Sequence, residues 1–386
     1  MKEQADNCNT LLVIDDERDL GEFVRVVGEE VGYSVQNTDQ PEQFIAALSS
    51  PPRVVILDLN MPGVDGVELL REMADRKVDS RIVIASGVDP RALDTTARLG
   101  RSLGLNIAGV LAKPFRRAVL STLLRSLFLP SVELSDQALI QAIENGQIYP
   151  LYQPKIELAS GRCVGVEMLA RWRAPNGAAV GPDTFIPYAE KCGIIGKLTN
   201  WALQTGLEQA RAWTGMGLGL KVSINISAAN LGDGELPNRL DGLCRKVGVP
   251  PETLILELTE TAAMRDGIKL MEVLSRLRIK GFGLSIDDFG TGYSSLALLH
   301  RMPFSELKID RSFVTVMDHD AEVISRITTV LGHELGMTVT AEGVETRESL
   351  NRLIEYGVDH AQGYLMSVPC MAKDIPAFVR QQETGG

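Results

Sequence analysis

The feature that most restricts the fold is an alternation of short apolar runs with helix-patterned segments, repeated eight times in the latter two thirds of the chain. The intervening segments repeat their apolar side chains at helical spacing, as Leu270, Val273, Leu274 and Leu277 do. Eight strands over about 250 residues predict a TIM-like (β/α)8 barrel. The strand-like runs are 148–158, 164–172, 220–226, 254–259, 283–288, 306–310, 338–342 and 360–365.

The first third shows a shorter alternation of the same kind, which predicts a parallel, doubly wound, flavodoxin-like (βα)5 domain. The rhythm breaks between Leu127 and Asp136, where Pro130 interrupts the chain. We therefore predict a first domain over 1–128, a linker over 129–137 and a second domain over 138–386. The strand-like runs of the first domain are 10–14, 33–36, 53–57, 81–85 and 109–112.

Composition excludes several classes of protein. The 386 residues are 45% hydrophobic and carry a net charge of −11, which is unsuited to gripping nucleic acid. We find no DNA-binding motif, no secretory signal and no apolar run of about 18 residues, so neither DNA binding nor membrane insertion is expected. Five scattered cysteines fit a reducing compartment, and we expect the protein to be cytoplasmic.

Five polar residues stand at strand ends in the first domain. Asp15 and Asp16 end the first strand, Asp58 ends a later strand, and Ser86 and Lys113 end the last two. Because the carboxyl ends of parallel strands meet in one crevice, these side chains are expected to converge. Three crowded carboxylates repel one another unless a hard cation such as Mg²⁺ lies among them. Such a site can bind a phosphoryl group while a carboxylate attacks it.

This arrangement resembles the receiver domain of two-component response regulators, over roughly 10–127. The resemblance implies that Asp58 is the phospho-acceptor, that Asp15 and Asp16 bind one Mg²⁺, and that the serine and the lysine sense the phosphate. A sensor histidine kinase or phosphotransfer protein would be the donor. Three positions before the lysine, where such domains often carry an aromatic residue, this chain has Val110.

In the barrel, successive apolar strands carry a carboxylate or an amide side chain at or near their carboxyl ends. Strand ends at the carboxyl face of a barrel ring a single site, so these side chains are expected to cluster. Oxygen ligands without paired histidines or cysteines favour Mg²⁺ or Mn²⁺ over zinc. The strand-end residues are Glu167, Asn225, Glu257, Asp287, Asp288, Asp310, Glu342 and Gln362, with Glu260 and Glu345 close behind two of them.

The chemistry of the neighbouring residues points to hydrolysis of a phosphodiester. The adjacent acids Asp287 and Asp288 indicate a site for two metal ions, which could activate water and stabilise negative charge on phosphorus. Glu342 could accept the proton of that water, and Lys308 could steady the nucleophile or a phosphate oxygen. Arg171 offers a forked donor to a non-bridging oxygen.

These motifs resemble the EAL phosphodiesterase family, over about 138–380. The family hydrolyses cyclic di-GMP to linear pGpG with two Mg²⁺ or Mn²⁺ ions. The resemblance implies metal ligands at Glu167, Asn225, Glu257, Asp287 and Asp288, a general base at Glu342, and a catalytic lysine at Lys308. It places Gln153, Arg171 and Gln362 near the substrate, and it makes Glu260, with Glu345, an anchor of the loop Asp288–Ser295, which implies a homodimer or higher homo-oligomer.

The signature triplet reads Glu167-Met168-Leu169 rather than Glu-Ala-Leu. Because neighbouring side chains on a strand point to opposite faces, Met168 is expected to face away from the metals. The leading prediction is thus an active phosphodiesterase controlled by Asp58. Two alternatives remain: a silent barrel that senses cyclic di-GMP, and an adaptor whose barrel docks a protein partner.

Overall fold

The computed structural model describes residues 9–61, 64–87, 90–128, 134–263, 267–291, 296–315 and 318–384. The chain divides into two compact units, Met1–Ser131 and Val132–Gly386, and each is described by itself. A helix over Asp136–Glu144 begins inside the predicted linker 129–137, and Ser135 caps it by accepting a hydrogen bond from the backbone N–H of Ala138. Residues 129–133 of that linker lie outside the described residues, so its bounds remain a prediction.

The first unit contains a five-stranded parallel sheet in the order β2-β1-β3-β6-β7. Counted along the sheet's own strands this is the order 2-1-3-4-5 of a flavodoxin-like fold, so the predicted fold class is confirmed. The strands are β1 Thr10–Ile14, β2 Ser34–Thr38, β3 Val54–Asp58, β6 Arg81–Ser86 and β7 Asn106–Ala112, with a small hairpin of β4 Asn60–Met61 and β5 Val64–Asp65.

In the part of the first unit that the structure describes, five helices cover this sheet, and two hydrophobic clusters pack against its faces. Strands β1 and β3 are buried at every position, as expected for central strands of a parallel sheet covered on both sides. The helices are α1 Arg18–Val31, α2 Pro41–Ala47, α3 Gly66–Asp75, α4 Pro90–Ser102 and α5 Arg117–Phe128.

The second unit is a closed barrel, which confirms the predicted (β/α)8 fold class. Its sheet runs β10-β9-β11-β12-β13-β14-β15-β16-β8, and a further pairing of β8 with β9 closes the ring. The strands are β8 Ile148–Glu157, β9 Cys163–Arg173, β10 Ala179–Val180, β11 Lys221–Asn225, β12 Leu254–Thr259, β13 Gly283–Phe289, β14 Glu306–Ile309, β15 Thr338–Ala341 and β16 His360–Ala361.

Helices surround the barrel and bury its outer face. They are α6 Asp136–Glu144, α7 Pro182–Lys191, α8 Ile195–Gly215, α9 Ala228–Leu231, α10 Leu236–Val247, α11 Glu260–Ala263, α12 Gly267–Ile279, α13 Leu296–Arg301, α14 His319–Glu334, α15 Arg347–Glu355 and α16 Ile375–Thr384. None of the helices in the described ranges combines the length and the apolar character needed to cross a lipid bilayer.

The first barrel strand departs from a fully parallel ring. Strand β8 is antiparallel to both of its neighbours, β9 and β16. The cause is visible in the chain, because only Leu158–Arg162 separate β8 from β9, and a parallel connection requires a crossover of about a dozen residues or more. The two strands therefore form a hairpin, a detail that counting strand-like runs does not reveal.

Alternation along the barrel strands separates an apolar outer face from a polar interior. In β12, for example, Leu256 and Leu258 lie in the main hydrophobic cluster, whereas Glu257 between them is buried inside the ring. The same cluster holds Met168, whose sulfur lies beside helix α8 at Gly206, so this side chain faces away from Glu167 as predicted.

The packing of α8 on the barrel generates a stability prediction. Leu207 is fully buried in the main cluster, whereas Met216, the residue after the same helix, is 63% exposed. We expect Leu207→Ala to lower the free energy of unfolding by about 2–5 kcal/mol, because it removes buried apolar contacts and leaves a cavity. Met216→Ala, the matched control, should change it by less than about 0.5 kcal/mol. Urea unfolding followed by tryptophan fluorescence measures both, and equal effects would contradict the packing described.

Candidate active site

Four carboxylates, three on strands and one directly after a strand, surround the buried Lys308 inside the barrel. Lys308 on β14 is fully buried, and its Nζ lies 2.8 Å from Glu257 Oε2, 3.1 Å from Asp287 Oδ1, 2.5 Å from Glu342 Oε1 and 3.6 Å from Glu167 Oε2. The acids belong to β9, β12 and β13 and to the residue after β15. The structure therefore brings these four predicted acids together around Lys308.

Two amides tie these acids to one another. Asn225 Nδ2 donates to Glu167 Oε1 at 2.9 Å, and Gln362 Nε2 donates to Glu167 Oε2 at 2.6 Å. The same Gln362 nitrogen lies 3.2 Å from Glu342 Oε1. Both oxygens of Glu167 are thus held in place, and Gln362 bridges the first and the last acid of the ring.

A local irregularity turns two consecutive acids toward the site. Asp288 has a φ of 55°, in the left-handed region, and the pairing of β13 with β14 shifts register between Ile286 and Phe289. Neighbouring side chains on a regular strand point to opposite faces, and the bulge removes that restriction. As a result Asp287, Asp288 and Glu342 place carboxylate oxygens within 4.8 Å of one another. An aspartate with its backbone in the left-handed region is uncommon, and such backbone strain concentrates at functional sites.

The negative charges of the clustered acids outnumber the positive charge of Lys308. Burial raises the pKa of Glu257 to about 8, with a further contribution from the neighbouring carboxylates, although Lys308 opposes the shift. Burial and the charges of Asp287 and Asp310 raise the pKa of Asp288 to about 6. Burial also raises the pKa of Glu342, which the charge of Lys308 only partly offsets. One ammonium therefore does not compensate all of the acids around it.

The donor set fits divalent cations. Glu167, Glu257 and Asp287 form a second group whose oxygens lie within 4.8 Å of one another, sharing Asp287 with the group described above. Among the described residues, Glu257 Oε1 and Gln362 Oε1 are buried without a hydrogen-bond partner. Buried polar atoms are normally paired, so these oxygens point to a cation that they would bind. Carboxylate and amide oxygens suit Mg²⁺ or Mn²⁺.

Two of the predicted substrate-side residues lie beside the cluster. Gln153 is directly opposite Glu167 in the β8–β9 pairing, and its Nε2 donates to the carbonyl of Ser367 at 3.2 Å. Arg171 is half-buried and lines a cavity of 400 Å³ together with Asn225, the residue that donates to Glu167. A cavity of this size can hold part of a nucleotide.

The two predicted loop anchors differ in their surroundings. Glu260 is buried, and its Oε2 accepts the backbone N–H of Gly290 at 2.9 Å, which ties α11 to the end of β13. Glu345 is exposed, and within the described ranges it makes no hydrogen bond or ion pair. Residues 292–295 of the predicted loop lie outside the described residues, so the anchoring role of Glu345 remains a prediction without a supporting contact.

In the first unit, the predicted residues also converge. Lys113 Nζ lies 2.8 Å from Asp15 Oδ2 and 2.6 Å from Asp58 Oδ2, and Asp16 completes a group of three acids with oxygens within 4.8 Å. Ser86 is fully buried at the end of β6, beside this crevice, where its carbonyl accepts the backbone N–H of Lys113 at 2.8 Å. Burial raises the pKa of Asp15, which favours a cation there.

Several residues of these sites were not predicted from the sequence. Glu17 lies 3.1 Å from Lys113 Nζ at the edge of the first-unit pocket. In the barrel, Lys155 and Glu306 form a buried ion pair of 2.6 Å directly below the acids. The sequence did contain a signal for this pair. Lys155 lies two positions from the predicted Gln153 and Glu306 two positions from the predicted Lys308, so each shares a strand face with a predicted residue.

Comparisons with known proteins agree with this geometry. Family models match the chain as an EAL domain over residues 136–369 and as a response regulator receiver domain over 11–125. A cyclic di-GMP phosphodiesterase, RocR of Pseudomonas aeruginosa, is 35% identical over 383 residues, which covers 94% of this chain and 96% of RocR. The bifunctional diguanylate cyclase/cyclic di-GMP phosphodiesterase MucR of the same organism is 38% identical over the matched region. That region covers 62% of this chain and only 35% of MucR.

A solved structure of the PaMucR phosphodiesterase in complex with c-di-GMP superimposes with a TM-score of 0.60 and 38% identity, covering 62% of this chain and 98% of that one. The chain therefore belongs to the EAL domain family, and it carries a response regulator receiver domain ahead of the EAL domain.

The raised pKa values predict how metal uptake depends on pH. Without metal, Glu257 and Asp288 hold protons below about pH 8 and about pH 6, and a bound cation must displace those protons. We expect the affinity for Mn²⁺ to rise between pH 6 and pH 8, by up to about tenfold per pH unit for each proton displaced. Calorimetry in buffers of different ionisation enthalpy would detect the released protons. Uptake without proton release would contradict the shifts.

Proposed function

We propose that this chain is a phosphodiesterase that hydrolyses cyclic di-GMP to linear pGpG, with two Mg²⁺ or Mn²⁺ ions in the EAL domain and control by phosphorylation of Asp58. The observation that carries the proposal is the ring of acids around Lys308 at the carboxyl ends of the barrel strands. Its support from relatives is the similarity to RocR, a cyclic di-GMP phosphodiesterase, along almost the whole chain.

The ligands proposed for the ions are Glu167, Asn225, Glu257, Asp287 and Asp288. Bound there, the ions would activate water and neutralise the charge that develops on the phosphodiester. Two neighbouring acid groups that share Asp287 support two positions rather than one. Two amides fix the orientation of Glu167, so that its carboxylate is held ready for a cation.

Glu342 is proposed as the general base. Burial raises the pKa of Glu342, which makes its carboxylate a stronger base, and the contact with Lys308 fixes its position. Lys308 keeps its proton, because the surrounding carboxylates outweigh the effect of burial and raise its pKa further. It therefore offers a permanent positive charge beside the proposed base, where it would stabilise negative charge on the attacking oxygen.

The substrate-side roles are assigned by position. Arg171 borders the cavity of 400 Å³ beside Asn225 and can turn its guanidinium to a non-bridging phosphate oxygen. Gln153 and Gln362 provide amide groups next to Glu167, from β8 and from the end of β16. These residues would orient the scissile phosphate above the acids.

Two substitutions test the assignment. Glu167→Ala removes a ligand and Glu342→Gln removes the base, and each is expected to lower the rate of pGpG formation by about 10²-fold or more. The assay uses purified protein, cyclic di-GMP and Mg²⁺ or Mn²⁺, with the linear dinucleotide separated by chromatography.

The matched control is Glu355→Gln, the same change at an exposed glutamate of helix α15, which should leave the rate unchanged. Rates near that of the unaltered protein in both test variants would refute the assignment. Retention of cyclic di-GMP by the unaltered protein without product would instead identify a nucleotide-binding protein that does not cleave its ligand.

The receiver pocket supports control by phosphorylation. Asp58 is buried at the end of β3, and Lys113 is held against both Asp58 and Asp15. An Mg²⁺ among the three acids would offset the charge of an incoming phosphoryl group, which a sensor histidine kinase or phosphotransfer protein would supply. The hydroxyl of Ser86 and the ammonium of Lys113 would then bind phosphate oxygens.

We expect Asp58→Asn to abolish labelling by acetyl phosphate while the basal hydrolysis of cyclic di-GMP persists, because only the acceptor carboxylate is lost. Phosphate-affinity electrophoresis measures the labelling. Asp79→Asn, an exposed aspartate in the same unit, is the control and should label normally. Labelling that persists in the Asp58 variant would place the acceptor elsewhere.

A further inference from the structure

A second, mostly polar layer lies inside the barrel below the acids. It is formed by the residues two positions before the proposed ligands, the proposed base and Lys308, on the same strand faces: Gly165, Ser223, Ile255, Ser285, Glu306 and Thr340. Lys155 from the antiparallel β8 reaches into this layer and is 3% exposed. Its ammonium therefore lies inside the ring, beneath the candidate metal site.

Lys155 is held more closely by Glu306 than by Glu257, the acid above it. Its Nζ lies 2.6 Å from Glu306 Oε1 and 3.4 Å from Ser223 Oγ, but 4.0 Å from Glu257 Oε1. Thr340 donates its hydroxyl to the same Glu306 oxygen. Within the described part of the chain, Glu257 Oε1 has no hydrogen-bond partner, because the ammonium of Lys155, at 4.0 Å, lies just beyond hydrogen-bonding range.

Given the proposed function, on which this step rests, we propose that Glu306 is a positioning residue that holds Lys155 away from Glu257 and so leaves Glu257 Oε1 free for a divalent ion. An ammonium and a divalent cation compete for the same lone pairs of a carboxylate. Without the pull of Glu306, the flexible stem of Lys155 lets its charge move up to Glu257.

The surroundings keep Glu306 ionised, as it must be to hold the ammonium of Lys155. A cavity of 660 Å³ opens at the amino-terminal mouth of the barrel and is lined by both Lys155 and Glu306. Burial opposes the negative charge of Glu306, but the ammonium of Lys155 and the hydroxyl of Thr340 outweigh it and lower its pKa to about 2. The pair is therefore ionised throughout the working range of pH.

A double variant distinguishes the proposed positioning role of Glu306 from a purely structural role of the Lys155–Glu306 ion pair, because the two roles predict different affinities for Mn²⁺. Glu306→Gln should release Lys155 toward Glu257 and weaken Mn²⁺ binding by roughly 10–100-fold, the usual cost of removing a group behind a metal ligand. Lys155→Met together with Glu306→Gln removes the competing cation as well, so binding should return to within about threefold of the unaltered protein.

The measurement is a titration with Mn²⁺ alone, in which the electron paramagnetic resonance signal of the free ion reports binding without any turnover. Glu252→Gln, the same change at the rim of the same cavity, is the matched control and should bind normally. Circular dichroism without metal checks that each variant is folded. If Glu306→Gln does not fold, Lys155→Met alone carries the test, with binding at least as tight as in the unaltered protein.

Four outcomes would overturn the inference. Normal binding by folded Glu306→Gln would show that Lys155 is not held back by Glu306. A double variant as weak as the single one, or a tenfold loss in Lys155→Met, would assign the pair a structural role only. These three outcomes leave the proposed function intact, whereas failure of the unaltered protein to bind Mn²⁺ would refute the proposed function together with the inference.

Discussion

The repulsion among buried carboxylates is the constraint on which the barrel's interior depends. Glu167, Glu257, Asp287 and Glu342 all contact the single ammonium of Lys308. At an effective dielectric constant near 20, two like charges 4 Å apart repel by about 4 kcal/mol, so one lysine does not balance four acids. The protein tolerates the cluster by partial protonation, which the raised pKa values of Glu257 and Glu342 express, and cations would remove the cost.

The rest of the fold serves to hold these acids against that repulsion. Apolar side chains such as Leu256 and Leu258 alternate with Glu257 and pack outward against the helices, so the strand is not free to turn its charge to solvent. Gln362 bridges Glu167 and Glu342 across the ring. The hydrophobic effect thus fixes the backbone, and the amides fix the side chains, before any ligand binds.

The fold class and the clustering of acids were predictable because both follow from periodicity: strand runs alternate with helices, and strand ends converge. The antiparallel β8 was missed because apolar runs carry no direction, although its short connection to β9 determines it. Glu345 was grouped with Glu342 by proximity in sequence. The structure separates them because Gly343, at a φ of 65°, turns the chain after the strand and leaves Glu345 exposed.

The layer of Lys155 and Glu306 shows a different limit of sequence reasoning. Neither residue stands at the carboxyl end of a parallel strand, so a search for catalytic positions passes over both. Same-face spacing places them beneath the site, but only the distances reveal that Lys155 lies 2.6 Å from Glu306 and 4.0 Å from Glu257. A buried lysine without a closer partner would bind the nearest carboxylate, so the polar layer beneath the acids determines which oxygens remain open to a cation.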